Sequence, residues 1–213
     1  MELDAVIFDM DGVLVDTMPY HARAWVKALG ERGVRILPSV IYEMEGANHE
    51  GILRTLYRRR GVGLTEEDIK AISQRKTQIF DEISNLKVFP GVKSLLTLLQ
   101  DRLKLAVVSG SDRKTVNRIL NTCFPGIFQT VVTGSDVGSG KPDPESYLLA
   151  LEKLGTAREK TIVVENSPRG VESAKRAGLK VIAIPTYLHP RKLKRADIII
   201  PSHSQLEKQL LDP

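Results

Sequence analysis

Two carboxylates stand two positions apart in Asp9-Met10-Asp11-Gly12, directly after the apolar run Leu3–Phe8. Held close, such groups repel unless one is protonated or a cation sits between them. Hard oxygen ligands suit magnesium, above all beside a phosphate. Gly12 lets the chain turn sharply away from the pair. Three other stretches complement it. Ser109-Gly110-Ser111 ends the run Leu105–Val108 with hydroxyls and free N–H groups at a helix start, a cradle for an anion. Gly140-Lys141-Pro142-Asp143-Pro144 sets a lysine between a flexible and a stiff residue, which aims a cation at one point. Glu165-Asn166-Ser167 follows Ile162-Val163-Val164 and offers oxygens to a metal. Taken singly, each has an ordinary reading: surface acids in a turn, a helix cap, a solvated loop lysine, a capped helix start. Together they bring a nucleophile with an acid, a hydroxyl, a cation and metal oxygens to four strand ends. Phosphoryl transfer asks for that set, because its catalysis is mainly positioning and charge stabilisation.

Such groups need a scaffold that carries them to one place. Short, β-branched apolar runs recur at Leu3–Phe8, Leu103–Val108, Thr130–Val132, Thr161–Val164, Lys180–Ile184 and Asp197–Ile200. They lack strict alternation, which suits strands buried on both faces. Helical patterns lie between them at Val92–Asp101, Asp112–Asn121, Pro144–Leu154 and Pro168–Ala177. Strands alternating with helices predict an α/β fold, a doubly wound parallel sheet of Rossmann-like type. Ligands bind beyond the carboxyl ends of strands in such sheets, where the four stretches fall.

The rhythm breaks between Thr17 and Val88. Four successive helices are predicted there, Pro19–Arg32, Pro38–Glu45, His49–Arg60 and Thr65–Ile83, with no strand. Pro19 and Pro38 suit first-turn positions, Gly33 and Gly61 suit helix ends, and Thr65 with Asp68 forms a capping pattern. The division expected is a core of residues 1–16 and 89–213 and an all-helical cap of residues 17–88. The crossings near Thr17 and Val88 are the hinge candidates.

Composition is that of an ordinary globular chain, 42% hydrophobic and 27% charged. No apolar run reaches the ~20 residues needed to cross a bilayer, so no membrane partner is expected. Acids precede the first apolar run, unlike a signal peptide. Cys123 is the only cysteine, which excludes an internal disulfide and a Cys-based zinc site. These features read as cytoplasmic. The net charge of +5 could serve an anionic substrate. The basic runs Arg58-Arg59-Arg60 and Arg191-Lys192-Leu193-Lys194-Arg195 read as solvated surface, and with 5% aromatic residues no nucleic-acid partner is expected.

Phe8-Asp9-Met10-Asp11-Gly12-Val13-Leu14-Val15-Asp16-Thr17, then Ser109, then Lys141-Pro142, then Glu165-Asn166-Ser167 with Gly170, resemble in order the four motifs of the haloacid dehalogenase-like hydrolase superfamily. The resemblance spans essentially the whole chain, the inserted helical cap included. It implies that Asp9 attacks phosphorus and becomes an aspartyl-phosphate, which splits one hard displacement into two easier ones. Asp11 would protonate the leaving oxygen and later activate water. Ser109 and Lys141 would hold the phosphoryl group. Asp9, the Asp11 carbonyl, Glu165 and Asn166 would hold Mg2+. Cap-bearing members usually carry aspartate where this chain has Asn166. An amide ligates a hard cation without adding charge, so weaker magnesium affinity is expected.

Within the superfamily, Tyr20-His21 and Trp25 resemble the β-phosphoglucomutase and phosphoglycolate phosphatase-like branch. His21 and Trp25 are four apart on one helix face. The residues expected to face substrate are His21, Trp25, His49 and Lys76 on the cap and Gly110, Ser111 and Arg113 on the loop. Lys76 matches a cap lysine of the mutases. They carry arginine at His49 and lysine at Asp112, however, where they hold a second phosphate. Histidine is mostly neutral at pH 7. The expectation is therefore a magnesium-dependent phosphatase acting on a small phosphorylated metabolite and working as a monomer. A phosphohexomutase is the main alternative. A 2-haloacid dehalogenase, which would use neither Asp11 nor a metal, and a non-catalytic sugar-phosphate binder stand behind it.

Overall fold

A computed structural model describes residues 3–211. β1 (Ala5–Phe8), β2 (Lys104–Val108), β3 (Thr130–Val132), β4 (Thr161–Glu165), β5 (Lys180–Ala183) and β6 (Ile198–Ile199) form a six-stranded sheet in the order β3-β2-β1-β4-β5-β6. Every pairing is parallel. β1 pairs with β2 on one side and β4 on the other, so the winding direction reverses at β1. Asp9 therefore emerges at the switch point, where neighbouring loops diverge and leave a crevice.

Both faces of the sheet are covered, as its near-continuous apolar strands require. Val6, Phe8, Leu105, Val107 and Val164 point to one face, against α5 (Val92–Gln100), α6 (Arg113–Cys123) and α9 (Leu206–Leu211). Ala5, Ile7, Ala106, Val108 and Val163 point to the other, against α7 (Glu145–Leu154) and α8 (Pro168–Arg176). β1, β2, β5 and β6 are shorter than their apolar runs, β3 matches its run and β4 extends one residue further to Glu165; of Asp197–Ile200 only two residues pair, as β6. Asp197 instead turns its carboxylate to Lys175 and the Val181 N–H.

Between β1 and α5 lie α1 (Met18–Gly30), α2 (Pro38–Glu43), α3 (His49–Arg58) and α4 (Glu66–Ile83). Thr65 and Asp68 close a reciprocal capping box at the start of α4. The helix expected to reach Glu45 stops at Glu43, because Gly46 takes φ +87° and turns the chain toward the sheet. The helices share an apolar cluster of Trp25, Leu29, Ile41, Leu53, Leu56 and Ile72. Ala24 and Ala28 of α1 and Ile79 and Phe80 of α4 belong instead to the cluster beneath the sheet. At the two crossings Val15 bridges Val88, flanked by Asp16 N to Lys87 O and Phe89 N to Leu14 O. Both basic runs lie on the surface, apart from the buried Leu193.

Candidate active site

The four strand ends meet around Asp9. Lys141 Nζ lies 2.6 Å from Asp9 Oδ1 and 2.7 Å from Glu165 Oε1, and also donates to the Val108 carbonyl. All three side chains are buried. Burial opposes the lysine's charge, but Asp9 and Glu165 outweigh it and hold Lys141 well above the ordinary lysine pKa. The Asp9 pKa is raised too, which for a carboxylate favours the neutral form: burial raises it, Lys141 opposes this, and Glu165 and Asp11 add to the rise. Tyr147 OH donates to Glu165 Oε1 at 3.0 Å. Glu165 Oε2 accepts from Asn166 N, Ser167 N and Ser167 Oγ. Both oxygens of Glu165, expected from the sequence to hold magnesium, are thus engaged by hydrogen bonds, one of them from Lys141.

This packing yields a sharp expectation. A Cβ on Gly170 would fall 1.5 Å from Glu165 Oε1. Gly170→Ala should expel that carboxylate and leave Lys141 and Tyr147 short of a partner, at a cost of about 3 kcal/mol. Urea unfolding of the variant measures it, and a change below about 0.5 kcal/mol would show that Glu165 moves aside freely.

Asp11 is surrounded by donors. Thr17 Oγ1 and His21 Nε2 reach its Oδ1, the latter at 3.0 Å, and Ser109 Oγ reaches Oδ2 at 3.2 Å with Ser111 Oγ at 3.4 Å. Thr17 sits at the N-cap of α1 yet makes no capping bond, because its hydroxyl is turned to Asp11. Ser109 is not a helix cap either. Asp112 caps α6 by accepting from Thr115 N, and the Ser109 hydroxyl is left to the site. Burial alone would raise the Asp11 pKa, but His21, Thr17 and Lys76 together bring it down to about 2. His21 stacks on Phe80, and its Nδ1 lies 2.8 Å from Lys76 Nζ. With the proton of His21 on Nε2, Lys76, His21 and Asp11 form one chain of donors and acceptors. Burial and the Lys76 charge lower the His21 pKa. Burial takes Lys76 down to about 8, against the carboxylates of Asp11, Asp112 and Asp81.

Asp9, Asp11, His21, Trp25, His49, Lys76, Gly110 and Ser111 line a common cavity. Ser109, Lys141 and Asn166 meet it through hydrogen bonds to Asp11, Asp9 and Glu45 in turn, and Glu165 through its bond to Lys141. Trp25 does two things: it is buried in the insert's apolar cluster and stands edge-on to His49, 5.2 Å away. Arg113 departs from expectation. It is the first residue of α6, its side chain is 51% exposed, and its guanidinium pairs with Asp136 away from the cavity. The cavity holds about 40 Å³. That admits a few waters at ~10–15 Å³ each.

Sequence reasoning missed Glu45 and Tyr147, and gave no role to Thr17. Tyr147 carries no sequence signal, since one tyrosine in a helix is ordinarily core. Glu45 sits beside Gly46 at a predicted helix end, which marks a turn and nothing more. Its carboxylate is buried against the core and accepts from Asn166 Nδ2 at 2.7 Å. Burial raises its pKa well above the usual carboxylate range, the Asn166 bond opposes that, and Asp9, Glu165 and Asp11 add to the rise. Among the described residues, no three His, Cys, Asp or Glu side chains form a ready ligand set. A cation here would need the mixed oxygens of a carboxylate, a backbone carbonyl and an amide.

Comparison with known proteins gives a consistent neighbourhood. The family model described as haloacid dehalogenase-like hydrolase matches residues 6–184. A phosphorylated carbohydrates phosphatase of Thermotoga maritima is 35% identical over 183 residues, covering 84% of each chain. Hexitol phosphatase A of Escherichia coli is 31% identical, covering 97% of this chain and 94% of its own. A solved structure of a candidate β-phosphoglucomutase from Bacteroides vulgatus is 40% identical with a TM-score of 0.91, covering 99% of this chain and 88% of its own.

Proposed function

The chain belongs to the haloacid dehalogenase-like hydrolase family, and from that premise we propose that it is a magnesium-dependent phosphatase for a small phosphorylated sugar or similar monoester, with Asp9 as nucleophile. The observation that carries this reading is the buried Asp9–Lys141–Glu165 array at the switch point, facing Asp11 with its own donors. Asp9 attacks phosphorus, the bond to the ester oxygen breaks, and Asp11 delivers a proton to that oxygen. Lys76 and His21 stand behind Asp11 as the supply of that proton. In the second step Asp11, a carboxylate again after passing on the proton drawn through His21, takes a proton from water as the water attacks the aspartyl-phosphate and regenerates Asp9. Lys141 and Ser109 balance charge on the phosphoryl oxygens. Residues 17–88 act as the cap that admits substrate and then excludes water.

The donor set fits magnesium. Asp9 and the Asp11 carbonyl are hard oxygens, and Asn166 Oδ1 is buried without a hydrogen-bond partner. When bound, magnesium would offset the negative charge of the phosphate that Asp9 must approach.

Asp112 favours hydrolysis over mutase chemistry. It accepts from Thr77 Oγ1 on α4 and its charge acts on His49 and Lys76. A carboxylate at that end repels a second phosphate. The test is turnover of p-nitrophenyl phosphate and a panel of sugar phosphates with Mg2+. Release of inorganic phosphate as the sole phosphorus product is expected. An isomerised sugar phosphate would establish the mutase, and chloride release from a 2-haloacid the dehalogenase.

The pH profile carries a further expectation. Lys76 is cationic below about pH 8 and neutral above it. Its charge attracts the phosphate and feeds the proton chain, so kcat/KM should fall as pH rises past that point. Lys76→Met should have lower kcat/KM at neutrality and no such alkaline limb. An unchanged limb in the variant would assign it to another group.

A further inference from the structure

Glu45 belongs to the turn between α2 and α3, yet its side chain enters the core site and is 5% exposed. Its Oε1 accepts from Asn166 Nδ2, and its Oε2 is buried with no partner. Asn166 is fully buried, its Nδ2 is committed to Glu45, and its Oδ1 also has no partner. The carboxylate fixes which way the amide points. Turned over, Asn166 would set its carbonyl oxygen against the oxygens of Glu45. The hydrogen-bonded pair therefore carries two buried acceptor oxygens without a partner, one on each side chain. Lys141 does not cover them, because its ammonium is held by Asp9, Glu165 and the Val108 carbonyl. Aspartate at position 166 would put two carboxylates in contact. Asparagine there and glutamate at 45 are complementary: the charge that the fourth strand end lacks stands opposite it, on the helical insert.

We propose that Glu45 supplies to the magnesium site the carboxylate that Asn166 withholds, so that the cation ties the insert to the core. This rests on the metal requirement of the phosphatase reading. The seating of the turn supports it. A Cβ on Gly110 would fall 2.7 Å from Gly46 O, and one on Gly140 would fall 2.8 Å from Asn48 N. The turn carrying Glu45 is thus pressed directly on glycines in two core loops, Gly110 and Gly140. When the insert withdraws, Glu45 leaves with it, and the cation keeps only the oxygens of the core.

The test titrates Mg2+ alone, by calorimetry, into the full-length protein, Glu45→Gln and Glu45→Gln/Asn166→Asp. Amide exchange of residues 44–48 is followed with and without Mg2+. In Glu45→Gln the new side-chain carbonyl can still accept from Asn166, so the variant keeps that hydrogen bond while an NH2 replaces the bare oxygen and the charge is lost. Glu45→Gln should bind Mg2+ about tenfold more weakly, since affinity follows the charge of the ligand set. The double variant reverses donor and acceptor and restores the charge, and should return to within about threefold of the parent. Mg2+ should slow exchange at 44–48 in the parent and not in Glu45→Gln. Equal Mg2+ affinity in parent and Glu45→Gln, with phosphatase activity intact, would overturn this inference alone. A parent protein that binds no Mg2+ would overturn it together with the magnesium requirement.

Discussion

Asp9→Asn should lower p-nitrophenyl phosphate turnover by a factor on the order of 10⁴ or more without loss of fold. The substitution is isosteric, and the amide oxygen can still accept from Lys141 as the carboxylate does at 2.6 Å. What disappears is the nucleophile. An amide oxygen is too weak a donor of electrons to displace an alkoxide from phosphorus. The stability expectation runs in the opposite direction to the activity. Burial and the charges of Glu165 and Asp11 already press Asp9 toward its neutral form. Replacing it with a neutral group should leave the unfolding midpoint unchanged or raise it. Loss of activity with a retained or raised midpoint isolates the chemistry, whereas retained turnover would remove Asp9 from its role.

Lys141→Met should have the largest effect on stability, about 3–5 kcal/mol. The ammonium is the only cation bonded to both Asp9 and Glu165 among the described residues. Methionine fills much of the space and leaves two buried carboxylates facing one another. For a chain of this size that is a fall of roughly 10 °C in the unfolding midpoint, at about 2–4 °C per kcal/mol. The loss of the cation also sets the sign of the pH dependence. In the variant one carboxylate is driven to hold a proton, so its folded pKa lies above its unfolded one. Stability from that proton is present at low pH and lost as pH rises through the folded pKa. The deficit relative to the parent should therefore narrow in mildly acid buffer. Adding Glu165→Gln should recover part of it. Denaturant unfolding at neutral and acid pH measures both, and a deficit below about 1 kcal/mol would mean the carboxylates separate at little cost.

The sheet was legible because its apolar runs are short, β-branched and spaced by helical patterns, as burial on both faces demands. Asp9, Ser109, Lys141 and Glu165 were legible for a related reason: each comes after such a run, and parallel strands deliver the residues at their carboxyl ends to one edge of the sheet. The helical insert was legible as helices but not as a surface. His21 and Trp25 share a helix face, yet His21 meets Asp11 while Trp25 also fills the insert's own apolar cluster. Arg113 lies two residues beyond Ser111, but the turn of α6 sends its guanidinium to Asp136. Glu45 was invisible for a third reason. Its importance comes from the docking of a turn onto glycines that lie 65 and 95 positions further along the chain, at Gly110 and Gly140. No local pattern encodes that approach.

Whether Asp9 itself accepts the phosphoryl group is measured most directly by rapid acid quench during turnover of a phosphate ester labelled at phosphorus, with peptide mapping of the quenched enzyme. Label should be found on the peptide containing Asp9, lost under alkaline hydroxylamine as an acyl phosphate is, and absent in Asp9→Asn. Label on another residue, or full turnover under conditions that trap no acyl phosphate, would contradict it.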